Sequence, residues 1–220
     1  MTPDTTSILD ALKEYARPAS GGRGRWLLKP EVTIRENQHN EVLATLADIG
    51  ATWGFDFWVG KKEQAAWVAG AGVTRRKLST LVTADLTKWK ADIADLGTAQ
   101  QLDCVWVGPA GPLACFEVES TTSMTSGLMR GSNLLGKVRR YLVIPEEREA
   151  QLATKMRSPL FRERFDGDEW VVLHFDYILN NTSRLKKSVG NWGQLAGIQQ
   201  ATPAVPRLPK PRQMVLDLNE

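Results

Sequence analysis

The chain is poor in the residues that usually mark metal and redox centres. It carries two cysteines and two histidines in 220 residues. Cys104 and Cys115 both lie in apolar runs, where a free thiol behaves as a small buried hydrophobe. Two thiols make no zinc site without neighbouring histidines, and His39 and His174 are not at ligand spacing. No apolar run is long enough to span a bilayer and no signal-peptide pattern is seen, so no membrane contact and a cytoplasmic location are expected. A P-loop, a Gly-rich dinucleotide fingerprint and internal repeats are all missing.

Charge of one sign is scarce too. Lys and Arg number 28 against 25 Asp and Glu, a net +3, which does not by itself demand a polyanion. The distribution says more. Lys13, Arg17, Arg23, Arg25, Lys29 and Arg35 face only Glu14 and Glu31. Arg184, Lys186, Lys187, Arg207, Lys210 and Arg212 lie in a stretch with no acid. Basic ends around an acidic centre suit a polyanion laid across a metal site, and equally a solvated surface.

What the chain does have is an apolar hairpin broken by acids. Leu102-Asp-Cys-Val-Trp-Val107 and Leu113-Ala-Cys-Phe-Glu-Val-Glu119 read as strands joined by the turn Gly108-Pro-Ala-Gly-Pro112. Both faces are apolar, as in a central strand. If Val107 pairs with Leu113, Asp103 falls opposite Glu117 and on one face with Glu119. Buried acids without partners are costly. A hard divalent cation that prefers oxygen would relieve the conflict. Otherwise the hairpin lies at the surface with its acids in solvent. The same pairing sets Cys104 against Phe116 and Cys115 against Val105, which disfavours a disulfide between the two cysteines.

An Asp on one strand followed by Glu-x-Glu on the next resembles the PD-(D/E)XK nuclease superfamily. Its usual pattern ends in Lys, where this chain has Glu119. Downstream, Gly127-Leu-Met-Arg130 and Arg140-Tyr-Leu-Val-Ile-Pro145 resemble restriction-endonuclease-like domains, over roughly residues 39 to 175. The resemblance implies an α/β fold, a restriction-endonuclease-like mixed β-sheet core flanked by helices. It implies Asp103, Glu117 and Glu119 as catalytic residues. It also implies Mg²⁺, or Mn²⁺, held by Asp103 and Glu117. A Glu on the first helix often assists the metal in that family, and Glu41 is the matching residue. Glu41 could equally serve the positive end of its helix.

In chain order, residues 1–36 read as a basic N-terminal arm with a helix over 5–16 and a short strand at Trp26-Leu-Leu. Residues 37–180 read as the core, with Asn40 capping a helix from Glu41 to Trp53 and a strand at 55–59. His39 reads as a surface loop residue. An insertion spans about 61–97, with a strand near 81–83 and a helix over 85–96. A helix over about 126–135, a strand over 139–144 and a helix from Glu146 to about Met156 follow the hairpin. A last strand covers 170–179, with His174 as a satisfied core histidine. Residues 181–220 read as a basic, Pro-rich tail. Arg130 is expected to reach a phosphate or one of the three acids. Arg75, Arg76, Lys186 and Lys187 are candidate nucleic-acid contacts.

The expected function is a Mg²⁺-dependent endonuclease acting on DNA, in restriction or defence. Two other readings remain: a nuclease-fold module that binds without cutting, and a subunit of a larger complex. A homodimer or protein partner is left open.

Overall fold

The structure is a computed structural model that describes residues 16–18, 26–28, 30–69, 75–120 and 124–195. Strands β1 (Ala16–Pro18) and β2 (Trp26–Leu28) form a small antiparallel pair. Helix α1 (Pro30–Thr52) leads into β3 (Asp56–Val59). The hairpin β4 (Trp67–Ala69) and β5 (Arg75–Lys77) and the short helix α2 (Leu96–Ala99) come before the central strands. These are β6 (Cys104–Gly108) and β7 (Gly111–Val118). Helix α3 (Met124–Gly131), β8 (Arg139–Ile144), α4 (Glu149–Lys155), α5 (Pro159–Gly167) and β9 (Trp170–His174) follow. Helices α6 (Phe175–Asn180) and α7 (Thr182–Lys187) complete the described regular structure, apart from 3₁₀ turns.

The main sheet has the order β3-β6-β7-β8-β9. Its first three strands run antiparallel, and β7, β8 and β9 run parallel. Parallel neighbours need crossovers, and α3 supplies the first while α4 and α5 supply the second. Side chains alternate, so the two faces bury different sets. Trp106, Phe116, Tyr141 and Val143 pack with Leu43 and Leu46 of α1, Ile178 of α6 and Leu185 of α7. Val105, Cys115, Leu142 and Val172 pack with Leu128 of α3, Leu152 of α4 and Phe161 of α5. This is the helix-flanked mixed sheet the sequence leads one to expect.

The hairpin register is also as expected where it matters. Cys104 pairs with Phe116, Val105 with Cys115 and Trp106 with Ala114, which puts Asp103 opposite Glu117. Only at the turn does it differ: a bulge after Trp106 pairs Val107 with Pro112 instead of Leu113.

Five elements depart from the sequence reading. Helix α1 starts at Pro30, so Asn40 is mid-helix and no cap. Proline is favoured in a first helical turn because its missing N–H would be unpaired there anyway. The helix therefore crosses the 36/37 division. The 85–96 stretch is a 3₁₀ segment, Leu86–Asp92, capped when Asp85 accepts from Thr87 N–H, and then the short α2. Residues 81–83 form no strand; Leu81 ends a 3₁₀ turn. The strand over 170–179 stops at His174, because Phe175 and Ile178 switch to helical spacing and are buried in α6. Helix α7, read as tail, is docked: Trp53 Nε1 donates to the Leu185 carbonyl at 2.8 Å. The 5–16 helix, apart from Ala16 in β1, and the Pro-rich segment from 201 lie outside the described residues.

Candidate active site

At the exit of β7 the apolar hairpin ends in acids. Glu117 and Glu119 are fully buried and Asp103 nearly so. Asp103 sits just ahead of β6 and accepts the Val118 N–H through Oδ2 at 2.8 Å. The Glu119 N–H donates to the Val143 carbonyl at 2.8 Å, extending the ladder one residue past β7. Arg148, itself buried, donates from Nη1 to the Glu119 carbonyl at 2.7 Å and from Nε to Gln151 Oε1 at 2.8 Å. The backbone under Glu119 is thus held from two sides.

Of the two roles open to Arg130, the structure realises contact with the acids. Its Nε donates to Glu117 Oε1 at 2.9 Å and its Nη2 donates to Glu117 Oε2. The same Nη2 stands 3.6 Å from Glu119 Oε1. Helix α3 can bring Arg130 so close because Gly127 has no side chain. A Cβ there would meet Glu119 Oε1 at 3.0 Å and Glu117 Cβ at 3.1 Å.

A second group joins Asp103 from the other side. His39, Glu63 and Asp103 offer ligand atoms that all lie within 4.8 Å of one another. His39 is not a surface loop residue. It extends the core-facing stripe of α1 that continues through Val42, Leu43 and Leu46. Glu63 lies on a 3₁₀ turn, Glu63–Ala65, after β3. Gly60 N–H donates to the Asp103 carbonyl at 3.2 Å, and Gln64 Nε2 to the Val59 carbonyl at 2.9 Å, which pins that turn beside β6. Only glycine allows this approach, since a Cβ on Gly60 would stand 2.8 Å from the Leu102 carbonyl oxygen.

Glu41 is exposed and is not part of this group. The residue of α1 that reaches the acids is His39, two positions earlier. Neither His39 nor Glu63 stands out in the sequence as a site residue. Extending the helix upstream by one turn would have put His39 on the buried face. Glu63 lies in a segment with no usable periodicity.

Burial sets the electrostatics. Asp103 is pushed up to about 7 by burial, against the pull of Arg130 and the Val118 N–H. Burial and the Asp103 charge push Glu117 well up, while Arg130 opposes them. Burial also raises Glu63 and lowers His39. The acids hold Arg130 above its ordinary range. Arg130 is thus the cation that bridges Glu117 and Glu119, in a centre with more carboxylates than cations.

The candidate nucleic-acid residues gather elsewhere. Arg76 Nη2 bonds Asp48 Oδ1 and Oδ2 at 3.0 and 3.1 Å, and Lys186 Nζ stands 3.8 Å from Asp48 Oδ2. Arg75 and Lys187 are exposed. Asp48 lies on α1 roughly 13 Å along the axis from His39 at 1.5 Å per residue. Lys77 covers the half-exposed Trp67 ring on the same small hairpin, at 5.4 Å. His174 ends β9 with its Nε2 at 2.8 Å from Glu149 Oε1.

A family model described as the type II restriction enzyme NmeDI C-terminal domain matches residues 29–177, a span that contains every residue of the centre. No curated protein and no solved structure matches the chain.

Proposed function

The chain belongs to the family of the type II restriction enzyme NmeDI C-terminal domain, and from that premise we propose that it is a divalent-cation-dependent endonuclease that hydrolyses DNA, in restriction or defence. The observation that carries the proposal is the buried centre itself. Asp103, Glu117 and Glu119 are withdrawn from water at the end of a central hairpin, with Arg130 as the cation between the last two. Burying three carboxylates is expensive, and a cation site is the reason that fits their number and convergence. The order helix, strand, hairpin, helix, strand and the Asp103…Glu117-x-Glu119 pattern support a PD-(D/E)XK nuclease with Glu in place of the usual Lys.

A bound divalent cation would supply Lewis acidity to the scissile phosphate and a more acidic water. Asp103 is the acid common to both halves of the centre and would hold the cation. Glu117 faces Asp103 and would share that task when Arg130 lets go. Arg130, in the last turn of α3 and partly exposed, would then present its planar fork to the phosphate. Glu119 carries no positive charge, so its role would be to accept a proton from the attacking water. DNA as substrate rests on the restriction-enzyme relationship. The β4–β5 hairpin, with Trp67, Arg75 and Lys77, offers stacking and phosphate contacts.

A second reading, a module that binds DNA without cutting, is favoured by the fork of Arg130 on Glu117, which already satisfies both carboxylate oxygens. The two separate in one experiment. Supercoiled DNA, linear DNA and RNA are incubated with protein in Mn²⁺, Mg²⁺ or EDTA, and binding is followed by gel retardation. Metal-dependent DNA cleavage is the expected result. Retardation without cleavage in either metal would replace the nuclease by the binding module.

A further inference from the structure

We propose that the cation centre is built on a nitrogen ligand, His39, together with Glu63 and Asp103, and that it selects Mn²⁺ and related transition-metal dications over Mg²⁺ and Ca²⁺. This rests on the acids being a cation site, as proposed above. It goes further by naming two ligands and the metal class.

Three observations point to it. The ligand atoms of the three side chains converge within 4.8 Å, although they come from α1, the turn after β3 and the entrance to β6. His39 Nε2 is buried with no hydrogen-bond partner. Leaving a buried polar atom unpaired is costly, and a metal bond would offset that cost. The third observation is how the ligands are held. The His39 ring lies against the Val118 backbone, and the Val118 N–H donates to Asp103 Oδ2 at 2.8 Å. Metal-binding histidines characteristically donate their other ring N–H to a carbonyl or carboxylate, which fixes the tautomer and aims the free lone pair. One residue between Glu117 and Glu119 therefore stands against two of the three ligands.

The donor set decides the metal. Mg²⁺ is small and hard and favours oxygen. Imidazole suits transition metals, and affinity for mixed nitrogen and oxygen sites climbs along the first row from Mn²⁺. Mn²⁺ accepts both donor types. The departure from an oxygen-only centre is one side chain, so one substitution tests it.

Mn²⁺ binding is measured without nucleic acid, from loss of the free aqueous Mn²⁺ electron-spin-resonance signal, with Mg²⁺ affinity by competition. Wild-type protein should bind Mn²⁺ at least about tenfold tighter than Mg²⁺. His39→Gln should lose at least about tenfold in Mn²⁺ affinity and change little toward Mg²⁺. His39→Asp, which replaces nitrogen by oxygen, should move the preference toward Mg²⁺ and guards against a misfolded glutamine variant. Unchanged Mn²⁺ binding in both variants, or equal wild-type affinity for the two metals, would overturn the assignment. His39-dependent Mn²⁺ binding with uncut DNA would sink the nuclease proposal and leave this one standing. DNA cleavage with Mn²⁺ affinity indifferent to His39 would do the reverse.

Discussion

Arg130 holds Glu117 with two nitrogens, Nε on Oε1 at 2.9 Å and Nη2 on Oε2, and the same Nη2 lies 3.6 Å from Glu119. The guanidinium fills the space between two fully buried carboxylates. Removing one partner of a buried pair leaves an uncompensated charge, a loss of about 3–5 kcal/mol. Arg130→Ala should therefore lower the unfolding free energy by about 3 kcal/mol at pH 8 in EDTA. Mn²⁺ should restore part of it, because a cation again faces the acids. Urea melts with and without Mn²⁺ check this; a loss under about 0.5 kcal/mol would show the contact to be incidental.

Gly127 sets the distance between α3 and those acids. Gly127→Ala puts a methyl 3.0 Å from Glu119 Oε1 and 3.1 Å from Glu117 Cβ. Overpacking of this kind costs about 1–3 kcal/mol and should displace Arg130, reducing cleavage more than stability alone explains. Gly167 ends α5 and a Cβ there meets nothing within 4 Å. Gly167→Ala should leave both stability and cleavage close to wild type.

The pH dependence of the metal-free protein has a definite sign. Asp103, at about 7 when folded, binds its proton more tightly than in the unfolded chain, where its ordinary value is 3.8. Its contribution is full below about pH 4 and is lost as the pH rises through 7. Glu117 and Glu63, also raised, act the same way. His39, lowered by burial, acts oppositely, its contribution growing up to about pH 6.5. The net fall is therefore clearest from pH 6.5 to 8, on the order of 1 kcal/mol from Asp103. Denaturant midpoints in EDTA should decline over that range, and Asp103→Asn should flatten the decline.

How much of this was legible follows from where periodicity exists. The Asp103–Glu117 facing could be read from sequence because a hairpin fixes register by counting, and the bulge lay beyond the pairs that matter. The sheet and the β8 strand were legible from apolar runs. Helix α1 was read too short, because Asn40 resembles a cap and the polar stretch Arg35–Asn40 hides a continuing helix. A helix begun after Asn40 leaves His39 in a loop and makes Glu41 its first-turn acid. Glu63 was out of reach, since its position depends on backbone bonds of a 3₁₀ turn that leave no pattern in the side chains.

The basic residues are not equivalent. Arg76 is engaged by Asp48, a partly exposed pair, so Arg76→Ala should cost under about 1 kcal/mol and barely alter DNA binding. Arg75 is exposed on the β4–β5 hairpin, where it pairs with Ala69. Arg75→Ala should weaken DNA binding for every sequence and lower the salt slope by about one, and Trp67→Ala should weaken single-strand binding. Retardation assays at several salt concentrations measure both.

The central claim is that the buried acids at the end of β7 cut DNA. The most direct measurement is the rate of supercoiled plasmid cleavage in Mn²⁺ by wild type and by Glu117→Gln, which keeps the side chain's size and removes its charge. Cleavage by wild type that is abolished by EDTA and falls at least about a hundredfold in the folded variant is the predicted result. Equal rates in the two proteins, or no cleavage by wild type at any Mn²⁺ concentration, would contradict it.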